Sequence, residues 1–161
     1  MTLILGIDPG ITCTGLAVAE FSARTRRIVE CVSVRDTSVG VWENINALCE
    51  RYEHIPCCGI EAYTYYGPAS ANKNAMLLAG FVGEIRAHWV HTSIDELIEI
   101  RKVEVNRAIG IRSGKAPKAR VKRALEALFP GQLGGTNEHE RDAAAVAVAA
   151  WQRWSVKGRA A

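Results

Sequence analysis

The sequence predicts an α/β domain with a mixed β-sheet, and the apolar segments near its start point to it. Residues 3–7 are almost continuously apolar, which is typical of a central strand covered on both faces. Strand-like segments follow at 14–20 and 27–35, with a polar connection between them, so three strands form an antiparallel meander. A segment with helical spacing at 41–52 then leads to a short apolar strand that ends at Glu61, and such a crossover pairs strands in parallel.

The rest of the chain is predicted to be mainly helical. Apolar spacing indicates three further helices: 71–89, 117–129 and 137–154. Residues 89–94 (WVHTSI) indicate another strand. Ser93, with Glu96 three residues later, fits a capping box, which predicts the start of a helix there. The basic, glycine-punctuated segment 101–116 is expected to be a mobile loop with some strand content.

The chain of 161 residues is long enough for one domain with a substantial core. We expect residues 1–156 to form this single domain and residues 157–161 to be a disordered tail. No run of about 18 apolar residues occurs, so no transmembrane helix is predicted. The start MTLILGIDPG lacks the basic region of a signal peptide, which favours a cytoplasmic protein without membrane contact.

The number of cysteines is odd, and none of them belongs to a Cys-x-x-Cys motif. They are Cys13, Cys31, Cys49, Cys57 and Cys58. This pattern supports neither a zinc site nor a disulfide framework. The cysteines are therefore expected to be small, buried apolar side chains.

The charge of the chain is unevenly distributed. Between Arg101 and Arg123 there are nine Lys or Arg residues and one acid, so this segment carries +8 while the whole chain carries +3. The remainder is therefore acidic, at −5. Such segregation favours a polyanionic partner, although a basic segment of this kind can also be a solvated helix face.

Two acidic residues come at the ends of apolar strands. Asp8 ends the run LILGID before a Pro-Gly turn, and Glu61 ends the strand in PCCGIEAY. Taken alone, Asp-Pro-Gly is most often a turn, and Glu61 could equally be a surface acid. Parallel neighbouring strands lie about 4.8 Å apart, however, and carboxylates that close repel each other unless a cation lies between them.

A second pair of candidate ligands lies at the start of the last helix. His139 and Asp142 are three residues apart, so both are on one helix face. The residues that follow are Ala and Val up to Trp151, and so small and apolar a helix is expected to pack tightly on the sheet. The alternative is a merely polar helix start, with Asn137 as N-cap and Glu140 completing a capping box. Both interpretations can hold at once.

Acidic residues gathered in a basic protein indicate a metal site that serves phosphate chemistry. Two Mg²⁺ ions about 3.5–4 Å apart can activate water and stabilise the leaving oxygen of a phosphodiester. Such ions prefer carboxylate oxygens and water as ligands. The four residues therefore predict a site for divalent metal ions.

Three motifs, in this order, resemble the RuvC-type Holliday junction resolvases: GIDPGITCTG, GIEAY and HERDAAAVAVA, spanning residues 3–155. The resemblance implies a ribonuclease-H-like fold, with a five-stranded mixed sheet and helices on both faces. It also implies a homodimer that nicks opposing strands of a four-way DNA junction. Carried over by position, the catalytic and metal-binding quartet of the family falls on Asp8, Glu61, His139 and Asp142.

The third position of that quartet is commonly Asp in the family, with His as a known variant, and here it is His139. Three carboxylates and a neutral imidazole carry a charge of −3 instead of −4. We expect two Mg²⁺ ions per site, as the phosphate chemistry of clustered carboxylates indicates. Because imidazole is a softer ligand than carboxylate, we expect Mn²⁺ to substitute well.

The resemblance also implies DNA-binding residues, which match by region and not by position. An aromatic side chain in the loop after Glu61 would stack on bases at the junction centre, and the candidates are Tyr63, Tyr65 and Tyr66. The alternative is that these tyrosines pack on the following helix. Basic side chains that would neutralise phosphates are Lys102, Arg107, Arg112, Lys115, Lys118 and Arg120.

The predicted helix at 71–89 is apolar on two sides. One side carries Met76, Ala79, Gly80 and Gly83, and the other carries the bulkier Leu78, Phe81, Ile85 and Trp89. One face can pack on the sheet and the other on a twofold partner, the alternative being burial of both within the monomer. Matched cuts in a twofold-symmetric junction favour the homodimer.

Four functions fit parts of these observations. The first is a metal-dependent endonuclease that resolves four-way junctions by paired symmetric nicks, and the second is a related phage-type nuclease that cuts forks and flaps. The third is a nucleotide-binding module of the actin or sugar-kinase type, which normally needs two lobes and does not call for His139 and Asp142. A DNA-binding protein without catalysis is disfavoured by the intact quartet. No feature identifies a branch-migration motor as partner.

Overall fold

Five strands form one mixed sheet in a computed structural model that describes residues 1–35, 38–62, 73–112 and 116–160. The strands are β1 (Thr2–Asp8), β2 (Thr14–Phe21), β3 (Arg26–Val34), β4 (Cys57–Ala62) and β5 (Glu96–Arg101). Their order is β3-β2-β1-β4-β5, with the first three strands antiparallel and β4 parallel to both β1 and β5. The predicted α/β fold with a five-stranded mixed sheet is confirmed.

Helices cover both faces of the sheet. They are α1 (Ser38–Arg51), α2 (Lys73–His88), α3 (Lys102–Ala108), α4 (Lys118–Leu128) and α5 (Glu138–Ala160). Leu5 and Ile7 of β1 belong to a core formed with α1 and α2. Ile4 belongs to a second core, formed with α3, α4 and α5. Alternating side chains of β1 are thus buried between two helical layers, which explains its continuous apolar run.

Helix α5 lies directly against the sheet because glycines face it. A Cβ at Gly6 would lie 2.1 Å from the carbonyl oxygen of Ala143, and a Cβ at Gly59 would lie 2.7 Å from the Cβ of Ala150. Such short distances leave no room for a side chain on the strand, so the helix approaches the sheet backbone closely. The tight packing predicted for the last helix is confirmed.

Two predictions for the region between α2 and α4 are wrong. Residues 89–94 do not form a strand, since Trp89–His91 is a single 3₁₀ turn and β5 begins after it. Ser93 caps no helix, because the residues that follow it enter the sheet. Ile98 and Ile100 of β5 are buried and alternate with exposed charged residues, which is the period of a strand. Burial in the sheet overrides the local capping pattern.

The segment expected to be a mobile loop, 101–116, begins instead with α3. Glu104 closes a capping box by accepting a hydrogen bond from the backbone N–H of Arg101 at 3.1 Å. Val105 and Ile109, four residues apart, are buried in the core that includes α5. Val105, Ala108 and Ile109 have helical spacing, but α3 is only seven residues long, which explains why the sequence pattern does not reveal it.

The last helix is longer than the sequence predicts. Helix α5 extends to Ala160, beyond the end at residue 154 that the sequence predicts. The division between a domain of residues 1–156 and a disordered tail stays a prediction.

Cys57 and Cys58 are buried, the other three cysteines are partly buried, and all five are free. Within the described ranges, no helix has the length and apolar character needed to cross a bilayer.

Candidate active site

Asp8 and Glu61 end adjacent parallel strands. Ile7 of β1 is paired with Ile60 of β4, so the next residue of each strand is one of the two acids. Side chains alternate along a strand, and both acids lie two residues beyond the glycines that contact α5. This register explains why the two carboxylates come to the same end and the same face of the sheet.

The first turn of α5 provides the other two predicted residues. The side-chain oxygen of Asn137 accepts a hydrogen bond from the backbone N–H of Glu140 at 3.1 Å, and Oε2 of Glu140 accepts one from the backbone N–H of Asn137 at 2.9 Å. Beneath this capping box, a Cβ at Gly15 of β2 would lie 2.0 Å from the carbonyl oxygen of His139. The predicted cap therefore forms and leaves the side chains of His139 and Asp142 available for other contacts.

Two sets of contacts bring these four side chains together. Nδ1 of His139 lies within hydrogen-bond distance, 3.0 Å, of Oδ2 of Asp8. Nζ of Lys102, at the start of α3, donates to Oε2 of Glu61 at 2.8 Å and lies 3.4 Å from Oδ2 of Asp142. The four predicted residues thus surround one corner of the sheet, and Lys102 joins them there.

Burial and repulsion between neighbouring carboxylates raise the pKa values of the two strand-end acids, Asp8 and Glu61. Burial raises the pKa of Asp8 to about 7, although the hydrogen bond with His139 lowers it. The negative charges of Asp142 and Glu61 raise the pKa of Asp8 further, and the positive charge of Lys102 lowers it. Burial also raises the pKa of Glu61, while Lys102 opposes the rise. Added positive charge stabilises carboxylates crowded in this way, so the corner favours a cation.

The donor set at this corner suits a divalent cation in its chemistry and its charge. Among the residues that the structure describes, no three His, Cys, Asp or Glu side chains form a group that could hold a metal ion by itself. Instead, the ammonium group of Lys102 contacts both Glu61 and Asp142. A cation supplied by the chain therefore occupies part of the corner. Carboxylate oxygens are ligands that Mg²⁺ and Mn²⁺ both prefer, and Mn²⁺ accepts imidazole more readily than Mg²⁺ does, so the residues fit such ions once Lys102 moves.

A cavity of about 500 Å³ adjoins this corner, lined by residues of α3, α4 and α5. Lys102 and Asp142 line the cavity at its end near Asp8 and Glu61. Lys118, Lys122 and Arg141 add positive charge, and Glu138, which pairs with Lys118, adds one negative charge. Ammonium and guanidinium groups bind phosphate oxygens strongly. The cavity therefore has the charge and the position to take a phosphate group beside the four site residues.

The other predicted DNA-binding residues are spread over several places. Arg107 lines a different cavity, with residues of β5, α3 and α5, whereas Lys102 contacts Glu61 and Asp142. Arg112 and Arg120 are exposed. Four of the predicted residues lie outside the part of the chain that the structure describes: Tyr63, Tyr65, Tyr66 and Lys115.

The cavity beside the four site residues, here called the basic cavity, is also lined by Lys122 and Arg141. The sequence motifs do not identify these two residues. Lys122 follows Lys118 by four residues, about one helical turn, and this spacing on α4 is a signal that could have identified it. Arg141 is partly buried and donates a hydrogen bond to the carbonyl oxygen of Thr136. No sequence pattern indicates that contact.

A sequence model of the family described as crossover junction endodeoxyribonuclease RuvC matches residues 4–150. No curated protein matches the chain. Among solved structures, Thermus thermophilus RuvC is 18% identical with a TM-score of 0.74, and the match covers 98% of this chain and 97% of that one. The structure of T. thermophilus RuvC in complex with a Holliday junction substrate is 16% identical with a TM-score of 0.71, covering 92% of each chain. The yeast mitochondrial Holliday junction resolvase Ydc2 is 14% identical with a TM-score of 0.66, covering 97% and 81%.

The family match and the structural neighbours agree with the resemblance drawn from the motifs. At such low identities the solved structures show a shared fold. The family match adds more, because it extends over most of the chain and spans the four site residues from Asp8 to Asp142. This chain therefore belongs to the RuvC family of crossover junction endodeoxyribonucleases, which resolve four-way DNA junctions.

Proposed function

We propose that this protein cuts four-way DNA junctions at a metal site formed by Asp8, Glu61, His139 and Asp142. The observation that carries the proposal is that the start of α5 lies against the strand ends that carry Asp8 and Glu61. The contact between them is the 3.0 Å distance from Nδ1 of His139 to Oδ2 of Asp8. Nucleases of this family are metal-dependent. The raised pKa values of Asp8 and Glu61 support a cation at this corner.

The metal would be held mainly by carboxylate oxygens. Divalent ions bound here would supply an activated water and stabilise the leaving oxygen of an in-line displacement at phosphorus. In the tautomer whose Nδ1–H donates a hydrogen bond to Oδ2 of Asp8, Nε2 of His139 keeps its lone pair for metal coordination. We propose two Mg²⁺ ions per site, with Mn²⁺ as an effective substitute because imidazole is a softer ligand.

Basic side chains of the adjoining cavity would hold the DNA strand. Lys102, Lys118 and Lys122 line this cavity, and ammonium groups neutralise phosphates without reading the bases. Contacts of this kind position the backbone beside the acids and leave the choice of substrate to the shape of the junction. Further DNA contacts that belong to the proposal are Tyr63, Tyr65, Tyr66, Arg107, Arg112, Lys115 and Arg120.

The protein would act as a homodimer formed through α2. Val82 and Ile85 of this helix are buried in the core shared with α1. Met76 is 62% exposed and Leu77 is 49% exposed, and a Cβ at Gly80 would meet no described residue within 4 Å. An apolar helix face that the described residues leave uncovered supports contact with a second copy, which would give two matched sites for a twofold-symmetric junction.

Cleavage of synthetic branched DNA tests the proposed activity. The protein is incubated with a labelled four-way junction, a fork and a plain duplex, in Mg²⁺, in Mn²⁺ and in EDTA. We expect paired symmetric nicks in the four-way junction and no cutting in EDTA. Preferential cutting of the fork would favour the relaxed branched-DNA nuclease instead, and cutting in EDTA would contradict a metal site.

Asp8→Asn and Glu61→Gln test the assignment of the site residues. Each variant replaces a carboxylate by an amide of similar shape, so it should bind the junction normally in a gel-shift assay. Each should cut at least about 100-fold more slowly, because a ligand for the metal is weakened. Asp95→Asn, an exposed residue before β5, is the matched control and should cut at the wild-type rate. A wild-type rate in either site variant contradicts the assignment.

A further inference from the structure

Lys102 contacts two of the four site residues without being a predicted metal ligand. It follows β5 directly, as the first residue of α3. Its Nζ lies 2.8 Å from Oε2 of Glu61 and 3.4 Å from Oδ2 of Asp142. The Lys102 side chain is 47% exposed, whereas the two acids are 19% and 23% exposed. An ammonium group of the chain thus bridges a strand-end carboxylate and a helix carboxylate.

A divalent cation at this corner needs the same carboxylate oxygens. Two positive charges a few ångströms apart repel strongly, so a metal ion and the ammonium group compete for Glu61 and Asp142. A lysine ammonium group carries its positive charge at neutral pH, so Lys102 competes with a metal ion for these two carboxylates.

Lys102 also lines the basic cavity beside the acids. A DNA phosphate in this cavity would offer the ammonium group a second anionic partner. The flexible four-carbon side chain of lysine allows the ammonium group to exchange one partner for another. Lys118, Lys122 and Arg141 line the same cavity, so a phosphate there would be held even while Lys102 moves.

We propose that Lys102 is a built-in counter-cation that occupies the carboxylates of Glu61 and Asp142 in the DNA-free protein and leaves them for a DNA phosphate. This inference rests on the proposed metal site. It makes the affinity for the divalent ion depend on bound DNA, and by linkage the affinity for DNA depends equally on the ion. Competition from Lys102 would weaken the binding of divalent ions to protein that has no DNA bound.

Mn²⁺ binding to the full chain without DNA tests the proposal independently of cleavage. Free Mn²⁺ is followed by electron paramagnetic resonance during titration of wild type, Lys102→Met and Lys118→Met. Lys118 is the matched control, because it lines the same cavity but its Nζ pairs with Glu138 at 2.6 Å and not with the quartet. We expect Lys102→Met to bind Mn²⁺ about three- to tenfold more tightly than wild type. Lys118→Met should stay within about twofold of wild type.

A second variant and a second condition make the test stricter. Lys102→Gln, which also removes the charge, must change the affinity in the same direction as Lys102→Met. With an uncleavable four-way junction bound, the difference in Mn²⁺ affinity between wild type and the Lys102 variants should shrink. Equal or weaker Mn²⁺ binding by both DNA-free variants overturns the counter-cation role.

Asp8→Asn separates this inference from the proposed function. If Asp8→Asn weakens Mn²⁺ binding while both Lys102 variants bind like wild type, the metal site stands and the counter-cation role is wrong. If Asp8→Asn leaves Mn²⁺ binding unchanged, the proposed metal site is itself wrong and the counter-cation role falls with it.

Discussion

Replacing Gly15 by alanine tests how packing of α5 on the sheet positions His139. The new Cβ would lie 2.0 Å from the carbonyl oxygen of His139, whereas ordinary contact begins near 3.4 Å. The first turn of α5 must therefore move by about 1.4 Å, the difference between these distances, unless the strand yields instead. Such a shift is large beside the 3.0 Å hydrogen bond between His139 and Asp8. A misplacement of about 1 Å can slow an enzyme on the order of 100-fold.

The expected result for Gly15→Ala is a junction-cleavage rate lower by about 100-fold in single-turnover assays. Overpacking should also lower the free energy of unfolding by about 1–3 kcal/mol, measured in urea. Gly134→Ala is the matched control, because a Cβ at Gly134 would meet no atom of the described residues within 4 Å, and it should change neither quantity. A folded Gly15→Ala protein that cuts within about threefold of the wild-type rate would refute the link between this packing and the site.

Three further predictions concern the ligand at position 139, the α2 face and the cysteines. His139→Asp should keep Mg²⁺-dependent cleavage and narrow the advantage of Mn²⁺, because it restores an oxygen ligand; loss of all Mg²⁺ activity would exclude a simple ligand exchange. Met76→Lys should shift the protein toward monomers in analytical ultracentrifugation, because it charges the exposed face of α2; an unchanged dimer would argue against this interface. Cys57 and Cys58 should not react with a thiol reagent at mildly alkaline pH until the protein unfolds. Burial raises the pKa of Cys57 to about 12 and that of Cys58 well above its usual range, so neither forms the reactive thiolate. Rapid labelling of the folded protein would contradict their burial.

Much of the candidate site could be predicted because each of its elements has a local signal. The apolar run before Asp8 and the apolar strand before Glu61 indicate two buried strands, and the helix between them makes a parallel pairing natural. Three-residue spacing places His139 and Asp142 on one helix face. The run of Ala and Val after Asp142 indicates a helix packed close to the sheet, and the observed backbone contacts agree.

The contact of Lys102 with the acids could not be predicted, because it depends on tertiary packing. Lys102 and Arg107 are five residues apart on α3, which corresponds to about 140° around a helix, and the sequence alone does not say which side faces the site. The burial of Val105 and Ile109 against the core fixes the rotation of α3. The sequence does not predict α3 itself, because a helix of seven residues is too short for its apolar periodicity to be recognised.

The sequence does not predict β5 correctly because two local patterns compete there. Ser93 and Glu96 have the spacing of a capping box, which favours a helix. The alternation of Ile98 and Ile100 with charged residues favours a strand. The strand forms because β4 offers a parallel partner, with Ile98 paired to Gly59 of that strand, and no helix could provide that pairing.

The most direct test of the metal site is a crystal structure of the protein with Mn²⁺ and an uncleavable four-way junction, using anomalous diffraction. We predict an anomalous peak at the corner of the sheet, with ligands from Asp8, Glu61, His139 and Asp142, and with Lys102 turned toward a phosphate. An anomalous peak elsewhere, with these four side chains making no metal contact, would contradict the proposed site.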